Sequence, residues 1–270
     1  MSTVVYQVDA FAERAFAGNP AGVVPLERAI DLAWAQAFAA EMNLAETAYF
    51  WPEGEAFRLR WWTPETEVRL CGHATLASAH VLWSAGLLDT GAPARFETHS
   101  GRLTCRRLAD GTIEMDFPAR PPAPCETPAG VEEALGARPV EAHQSAEDLL
   151  VVLGSEAEVR ALTPDFRALG RLPVRGTIVT ASADPETGAD FVSRFFAPAV
   201  GIDEDPVTGS AHCVLTPYWT GRLGRAELVG FQASRRGGFV RVRAAGDRVS
   251  LGGRAVTVFR AELATPPRLD

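Results

Sequence analysis

Lysine is absent from the 270-residue sequence, so all 26 of its basic residues are arginine. Without an ammonium there is no Schiff base to a carbonyl substrate or to pyridoxal phosphate, no Ser–Lys dyad and no Walker-type phosphate loop. Cysteine is sparse. Cys71, Cys105, Cys125 and Cys213 show neither the C-x-x-C spacing of zinc sites nor the density of a disulfide framework. The five histidines (His73, His80, His99, His143 and His212) form no H-x-H or H-E-x-x-H, and no metal site is expected. No glycine-rich nucleotide fingerprint follows a strand-like run. No apolar run approaches the roughly 18 residues of a membrane span, and the opening residues lack the basic start and apolar core of a signal peptide. A cytoplasmic protein is the expectation. The net charge of -8 excludes nucleic acid or an anionic membrane as a bulk partner.

What is present is an ordinary globular composition, 47% hydrophobic and 22% charged, in a chain long enough for two modest cores. Short β-type runs bounded by Gly, Pro, Asp or Asn fall at 4–8, 22–24, 47–51, 57–62, 95–98, 103–107 and 112–117. Helices are expected at 32–41, capped by Asp31, and at 72–85, where small apolar residues on every face predict burial all round. Residues 118–128 carry Pro118, Pro121, Pro122, Pro124 and Pro128. So few amide donors predict an inter-lobe linker that cannot join a sheet. Further strands are expected at 149–153, 177–181, 191–196, 226–231, 239–243, 249–251 and 255–261, around a helix opening at Gly209. Pro217 should kink that helix or end it after two turns. The chain thus reads as α+β, with an N-terminal lobe at 1–117, joined by the last strand at 255–270, and a C-terminal lobe at 129–254.

The two halves repeat one plan. Arg60-Trp61-Trp62-Thr63-Pro64 leads through an acidic loop to Gly72-His73-Ala74. Arg194-Phe195-Phe196-Ala197-Pro198 leads, through a loop three residues longer, to Gly209-Ser210-Ala211. A rival register matching Ser78-Ala79-His80 to Ser210-Ala211-His212 loses the aromatic strand and the turn. The first turn of a helix carries unpaired N–H groups and a partial positive charge, so a glycine-led helix start can bind an anion without lysine. Gly72 and Gly209 are accordingly candidate substrate-binding residues, for which a small carboxylate is the expected ligand.

Four motifs in order, GNPAGVV (18–24), NLAETAYF (43–50), RLCGHATLASAHVL (69–82) and DPVTGSA (205–211), resemble the phenazine-biosynthesis PhzF-like family over nearly the whole chain. The resemblance implies a diaminopimelate-epimerase-like fold: two pseudo-symmetric lobes, each a β-barrel-like sheet around a central helix, with the active site in the cleft between them. It implies a homodimer and an isomerase that shifts a proton on a small carboxylate such as trans-2,3-dihydro-3-hydroxyanthranilate, without metal or organic cofactor. By its place in N-L-A-E-T, Glu46 matches the family's acid/base glutamate, and partial burial at a strand start is expected to raise its pKa toward neutrality. His73, Asp205 and Ser210 match residues that line the substrate pocket. Asn19 is expected to be mostly structural. Cys71 matches the first of two cysteines that act as paired bases in related epimerases. The second lobe has no cysteine at the facing position, so Cys71 is expected to be a small buried residue. An amino- or hydroxy-acid epimerase or racemase of the same fold, and a non-catalytic carboxylate-binding protein, remain the alternatives.

Overall fold

The computed structural model describes residues 3–269. It is a mixed α+β protein, mostly sheet with few helices. The chain divides into two compact units, one comprising the chain up to Asp116 and from Gly252 onward, the other Phe117–Leu251. Among the described residues no helix is long and apolar enough to cross a membrane.

The first unit runs β1 (Val4–Ala10), β2 (Asn19–Pro25), α1 (Leu32–Met42), β3 (Glu46–Glu53), β4 (Ala56–Trp62), β5 (Glu67–Val68), α2 (Gly72–Ser84), β6 (Ala94–Thr98), β7 (Gly101–Arg107) and β8 (Ile113–Pro118). Asp31 caps α1 by accepting the Trp34 N–H at 2.8 Å, as its side-chain chemistry predicts. Helix α1 is the crossover that lets β2 and β3 pair in parallel, with Ala21 opposite Glu46. Strand β3 then pairs antiparallel with β4, and β4 with both β5 (antiparallel) and β6 (parallel). Helix α2 packs on β1, β2 and β3, and ten of its thirteen residues are buried, as its composition predicts. The polar residues of this buried helix are satisfied locally: the Thr75 and Ser78 hydroxyls donate to the carbonyls of Cys71 and Ala74.

The second unit runs β9 (Ala123–Cys125), α3 (Val131–Leu135), β10 (Glu141–Gln144), β11 (Asp148–Val152), α4 (Glu156–Ala161), α5 (Phe166–Leu169), β12 (Gly176–Ser182), β13 (Phe191–Ala197), β14 (Ile202–Asp205), α6 (Gly209–Leu223), β15 (Glu227–Gln232), β16 (Gly238–Ala245) and β17 (Arg248–Gly253). Strand β18 (Ala255–Glu262) returns to pair with β1. The pairing scheme of the first unit recurs: β11 is parallel to β12, β12 antiparallel to β13, and β13 antiparallel to β14 and parallel to β15. The register anticipated from the aromatic strands is seen in the side chains. Arg60 forks onto Glu67 (2.7 and 2.6 Å) and lies over the Trp62 ring; Arg194 forks onto Glu204 (2.7 and 2.9 Å) and lies over Phe196. Each glutamate stands five residues before its helix-opening glycine.

Two expectations are corrected. The proline-rich segment does enter a sheet: Ala123–Cys125 pairs with β10, with Pro124 opposite His143. It is an edge strand, where a missing donor is tolerated. Helix α6 also runs through Pro217 to Leu223 rather than ending after two turns. A proline orphans the carbonyl four residues earlier, and here the Cys213 carbonyl accepts the backbone N–H of Arg120 at 3.0 Å. Strands β5, β9, β10 and β14 and helices α3 to α5 were not anticipated.

The Arg194 guanidinium also donates to the Leu162 carbonyl at 2.8 Å, a bond Arg60 has no counterpart for among the described residues. A lysine cannot satisfy the carboxylate fork and this extra acceptor together. Arg194→Lys is therefore expected to cost about 2 kcal/mol and Arg60→Lys about 1 kcal/mol in urea denaturation. Equal losses at the two positions would show that the fork alone sets the effect.

Candidate active site

Glu46 opens β3 and His73 is the second residue of α2. Their side chains are 12% and 6% exposed, and Glu46 Oε2 lies 3.2 Å from His73 Nε2. On the other edge of the ring, the Asn19 side-chain amide donates to His73 Nδ1 at 3.2 Å, and Cys71 Sγ is 3.5 Å from the same nitrogen. An amide nitrogen can only donate, so Nδ1 is the acceptor and the ring proton of the neutral imidazole sits on Nε2, facing Glu46. Burial pushes the imidazole down from its ordinary value to about 3, so it is uncharged near neutral pH. The close approach to Glu46 is thus a carboxyl beside a neutral ring. It is also off the line of a good hydrogen bond, and Nε2 is buried with no hydrogen-bond partner among the described residues. A buried N–H in that condition is poised to meet an acceptor on a bound molecule.

Each group is positioned by backbone. Gly18 adopts φ +63°, and a Cβ there would sit 2.1 Å from the Ala10 carbonyl oxygen, so only glycine can turn the chain into Asn19 at the start of β2. The parallel β2–β3 register then sets Asn19 and Glu46 near the same end of the two strands. Cys71 is the N-cap residue of α2, with no side-chain cap bond among the described residues, so its thiol is left beside the ring. Glu46, Cys71 and His73 each place a potential metal donor within 4.8 Å of the others. Motif spacing cannot reveal such a trio, because it joins β3 to a helix start. Glu46 and Cys71 approach opposite nitrogens of the ring, which suits hydrogen bonding around an imidazole better than convergence on one ion.

In the second unit, Asp205 ends β14 and is followed within five residues by Gly209 and Ser210 at the start of α6. The turn between them is held tightly. The Thr208 hydroxyl donates to Asp205 Oδ2, while buried Gln232 accepts the Thr208 N–H (2.8 Å) and donates to the Asp205 carbonyl (2.7 Å). Ser210 Oγ accepts from Arg175 Nη2 at 3.0 Å, and Arg175 in turn forks onto the buried carboxylate of Asp148 (2.9 and 2.6 Å). Burial lowers the Arg175 pKa, but Asp148 and neighbouring carboxylates outweigh it, leaving the guanidinium a firmly held cation beside the helix start.

Of the residues expected from sequence, Glu46, Gly72 and His73 come together in the first unit, and Asp205, Gly209 and Ser210 in the second. Asn19 and Cys71 both touch His73, and Cys71 is buried as expected. Arg175, Asp148 and Gln232 were missed, because nothing local marks them. Arg175 and Asp148 meet only through the parallel β11–β12 register, which sets Asp148 opposite Gly176.

A family model described as phenazine biosynthesis-like protein matches residues 8–261. An uncharacterized isomerase of Pseudomonas aeruginosa is 50% identical over 258 residues, covering 96% of this chain and 97% of that protein. An uncharacterized isomerase of Halalkalibacterium halodurans is 47% identical over 264 residues, covering 97% and 99%. The crystal structure of a PhzF family protein from Enterococcus faecalis superposes with a TM-score of 0.94 at 43% identity, covering 98% of this chain and 100% of that one. With motifs, topology and whole-length similarity in agreement, the chain belongs to the phenazine-biosynthesis PhzF-like family and is an isomerase by its relatives.

Proposed function

We propose that the chain catalyses a cofactor-independent proton shift between two carbons of a small carboxylate such as trans-2,3-dihydro-3-hydroxyanthranilate. The observation that carries this reading is the 3.2 Å approach of Glu46 to a buried, neutral His73 whose other edge is fixed by Asn19. Glu46 takes a proton from one carbon, the electron pair of that C–H bond delocalises into the substrate's unsaturated system, and the same carboxyl returns the proton to a second carbon. His73 offers its Nε2–H to the substrate atom on which charge develops, which a buried donor does without reorganisation. For the second unit, the roles proposed rest on family resemblance and on its own geometry. Asp205 and Ser210 orient the substrate, and the Gly72 and Gly209 helix starts, with Arg175, hold its carboxylate. A homodimer is part of this proposal, on family resemblance alone.

The closeness of Cys71 Sγ to His73 Nδ1 favours a second reading, in which the thiol is a second acid/base group and the reaction is an epimerisation. The two separate cleanly. Under the isomerase reading Cys71→Ala keeps activity within about threefold, whereas a lost general acid/base costs about 10²–10⁴-fold. A loss of that size in Cys71→Ala, with solvent deuterium entering an α-carbon, decides for the epimerase.

Turnover of trans-2,3-dihydro-3-hydroxyanthranilate in deuterated water should incorporate label to the extent that the proton held on Glu46 exchanges with solvent before its return, and Glu46→Gln should lower the rate about 10²–10⁴-fold. A loss of less than about tenfold removes Glu46 from the role of base. Label-free silence in the folded native protein, with ligand binding unchanged in Glu46→Gln, decides for the carboxylate-binding alternative.

The neutrality of His73 has its own signature. Its folded pKa lies below the unfolded value of about 6.5, so as pH falls the unfolded chain takes up this proton first. Stability attributable to His73 is therefore complete above about 6.5 and is lost toward about 3. Between pH 7 and pH 5 the wild type should lose about 2 kcal/mol more than His73→Gln in urea denaturation. An equal loss in both proteins would mean that His73 charges in the folded state, which contradicts its role as a neutral donor.

A further inference from the structure

A second pocket lies in the first unit, near the far end of α2, some two turns (about 10 Å) along the helix from His73. It has a volume of about 270 Å³, and its lining includes His80, Trp83, Ser84, Arg107, Ile113 and Arg254, with one carboxylate, Asp110. Two guanidiniums reach it, and neither is paired with a carboxylate among the described residues; Arg254 donates only to the Asp110 backbone carbonyl, at 3.0 Å. The acid on this rim, Asp110, takes the Thr112 N–H on Oδ1. The carbonyls ending α2 do not call for these cations either. Those of Val81, Leu82 and Trp83 accept N–H groups from residues 85 to 88. The Trp83 indole N–H is committed to the Ala92 carbonyl, so this residue offers the pocket its ring rather than a donor. His80 Nε2 bonds with the Thr257 hydroxyl at 3.0 Å.

In a chain of net charge -8, a concave site with two guanidiniums lacking carboxylate partners is an electrostatic exception. We propose that it binds a small oxyanion-bearing molecule, a phosphomonoester or carboxylate. Arg107 and Arg254 clamp the oxyanion, the Ser84 hydroxyl supplies a neutral donor, and Trp83 with Ile113 forms the apolar wall. The volume exceeds that of a bare phosphate and leaves room for a compact organic part. The field in the pocket is legible in its histidine: burial and the Arg107 charge together push the His80 pKa down. A bound anion offsets the Arg107 charge and so raises the His80 pKa, and by linkage protonation of His80 tightens anion binding as pH falls. The charged groups that line the pocket with His80 are Arg107, whose charge acts on the ring, Arg254 and Asp110.

The test is an NMR titration of the His80 ring in the full chain with inorganic phosphate and, separately, acetate, at ionic strength held constant with chloride. The proposal expects a saturable His80 shift and a raised His80 pKa with at least one of the two anions, and which one acts identifies the oxyanion recognised. Arg107→Gln and Arg254→Gln should each weaken that binding at least about tenfold, the factor carried by one charge-assisted hydrogen bond. Turnover dependent on Glu46 should remain. Ser84→Ala, which removes no charge, should weaken binding less. An equal response to chloride, no response to either anion, or unchanged affinity in both arginine variants overturns the proposal.

Discussion

Parallel pairing of two strands is the constraint from which both halves of this chain follow. Parallel neighbours cannot be joined by a tight turn, so each pair needs a crossover, supplied by α1 between β2 and β3 and by α4 with α5 between β11 and β12. The crossover brings the starting ends of two strands side by side, and the chain then passes through an antiparallel pair into a glycine-led helix. In the first unit those strand starts carry Asn19 and Glu46, next to His73. In the second they carry Asp148 and the approach to Gly176, where Arg175 reaches Ser210. One topology, used twice, builds a three-residue constellation at the same place in each unit.

The two constellations have diverged in charge rather than in position. Asn19 and Glu46 flank the buried, uncharged His73 ring, with a carboxyl on one side, an arrangement suited to moving a proton. Asp148, Arg175 and Ser210 form a fixed ion pair with a hydroxyl beside it, suited to holding an anion. The Asp148 carboxylate is fully buried and would be costly alone; the two-pronged contact with Arg175 compensates it, and that cation in turn is held in one orientation toward Ser210. Proton transfer and charge holding make different demands on a site, since a group that moves a proton has to change its charge and a group that holds an anion has to keep it.

Much of this was legible in sequence. Alternating and continuous apolar runs marked fourteen strand positions, and the small, mostly apolar residues of 72–85 announced a helix buried on every side. Glu46 and His73 could be singled out because each sits in a short motif at the opening of an element. The duplication was visible as Arg plus two aromatics plus Pro, and the Arg60–Glu67 and Arg194–Glu204 forks show why those residue types recur. What was hidden depends on strand register. Arg175 and Asp148 are 27 residues apart, and Gln232 is 24 residues from the Thr208 it clamps; no local pattern encodes such meetings. The proline arguments failed for a related reason. A missing donor matters only if its acceptor finds no other partner, and the partner of the Cys213 carbonyl is Arg120, ninety-three residues earlier in the chain.

The same accounting bears on whether one acid/base group or two operate here. A thiol serves as a base only as thiolate, and thiolates of that kind are sustained by a neighbouring positive charge. The imidazole beside Cys71 is the obvious source of one, yet its burial keeps it neutral, and its Nδ1 is already the acceptor of the Asn19 amide. An uncharged ring brings no positive charge to the Cys71 thiol, whereas a carboxylate needs none to act as a base. In the second unit the residue immediately before the helix-opening glycine, the position that matches Cys71, is Thr208, where a two-thiol mechanism requires a cysteine. The electrostatics at His73 therefore weigh toward a single carboxylate carrying the proton out and back, with the imidazole as a fixed neutral donor.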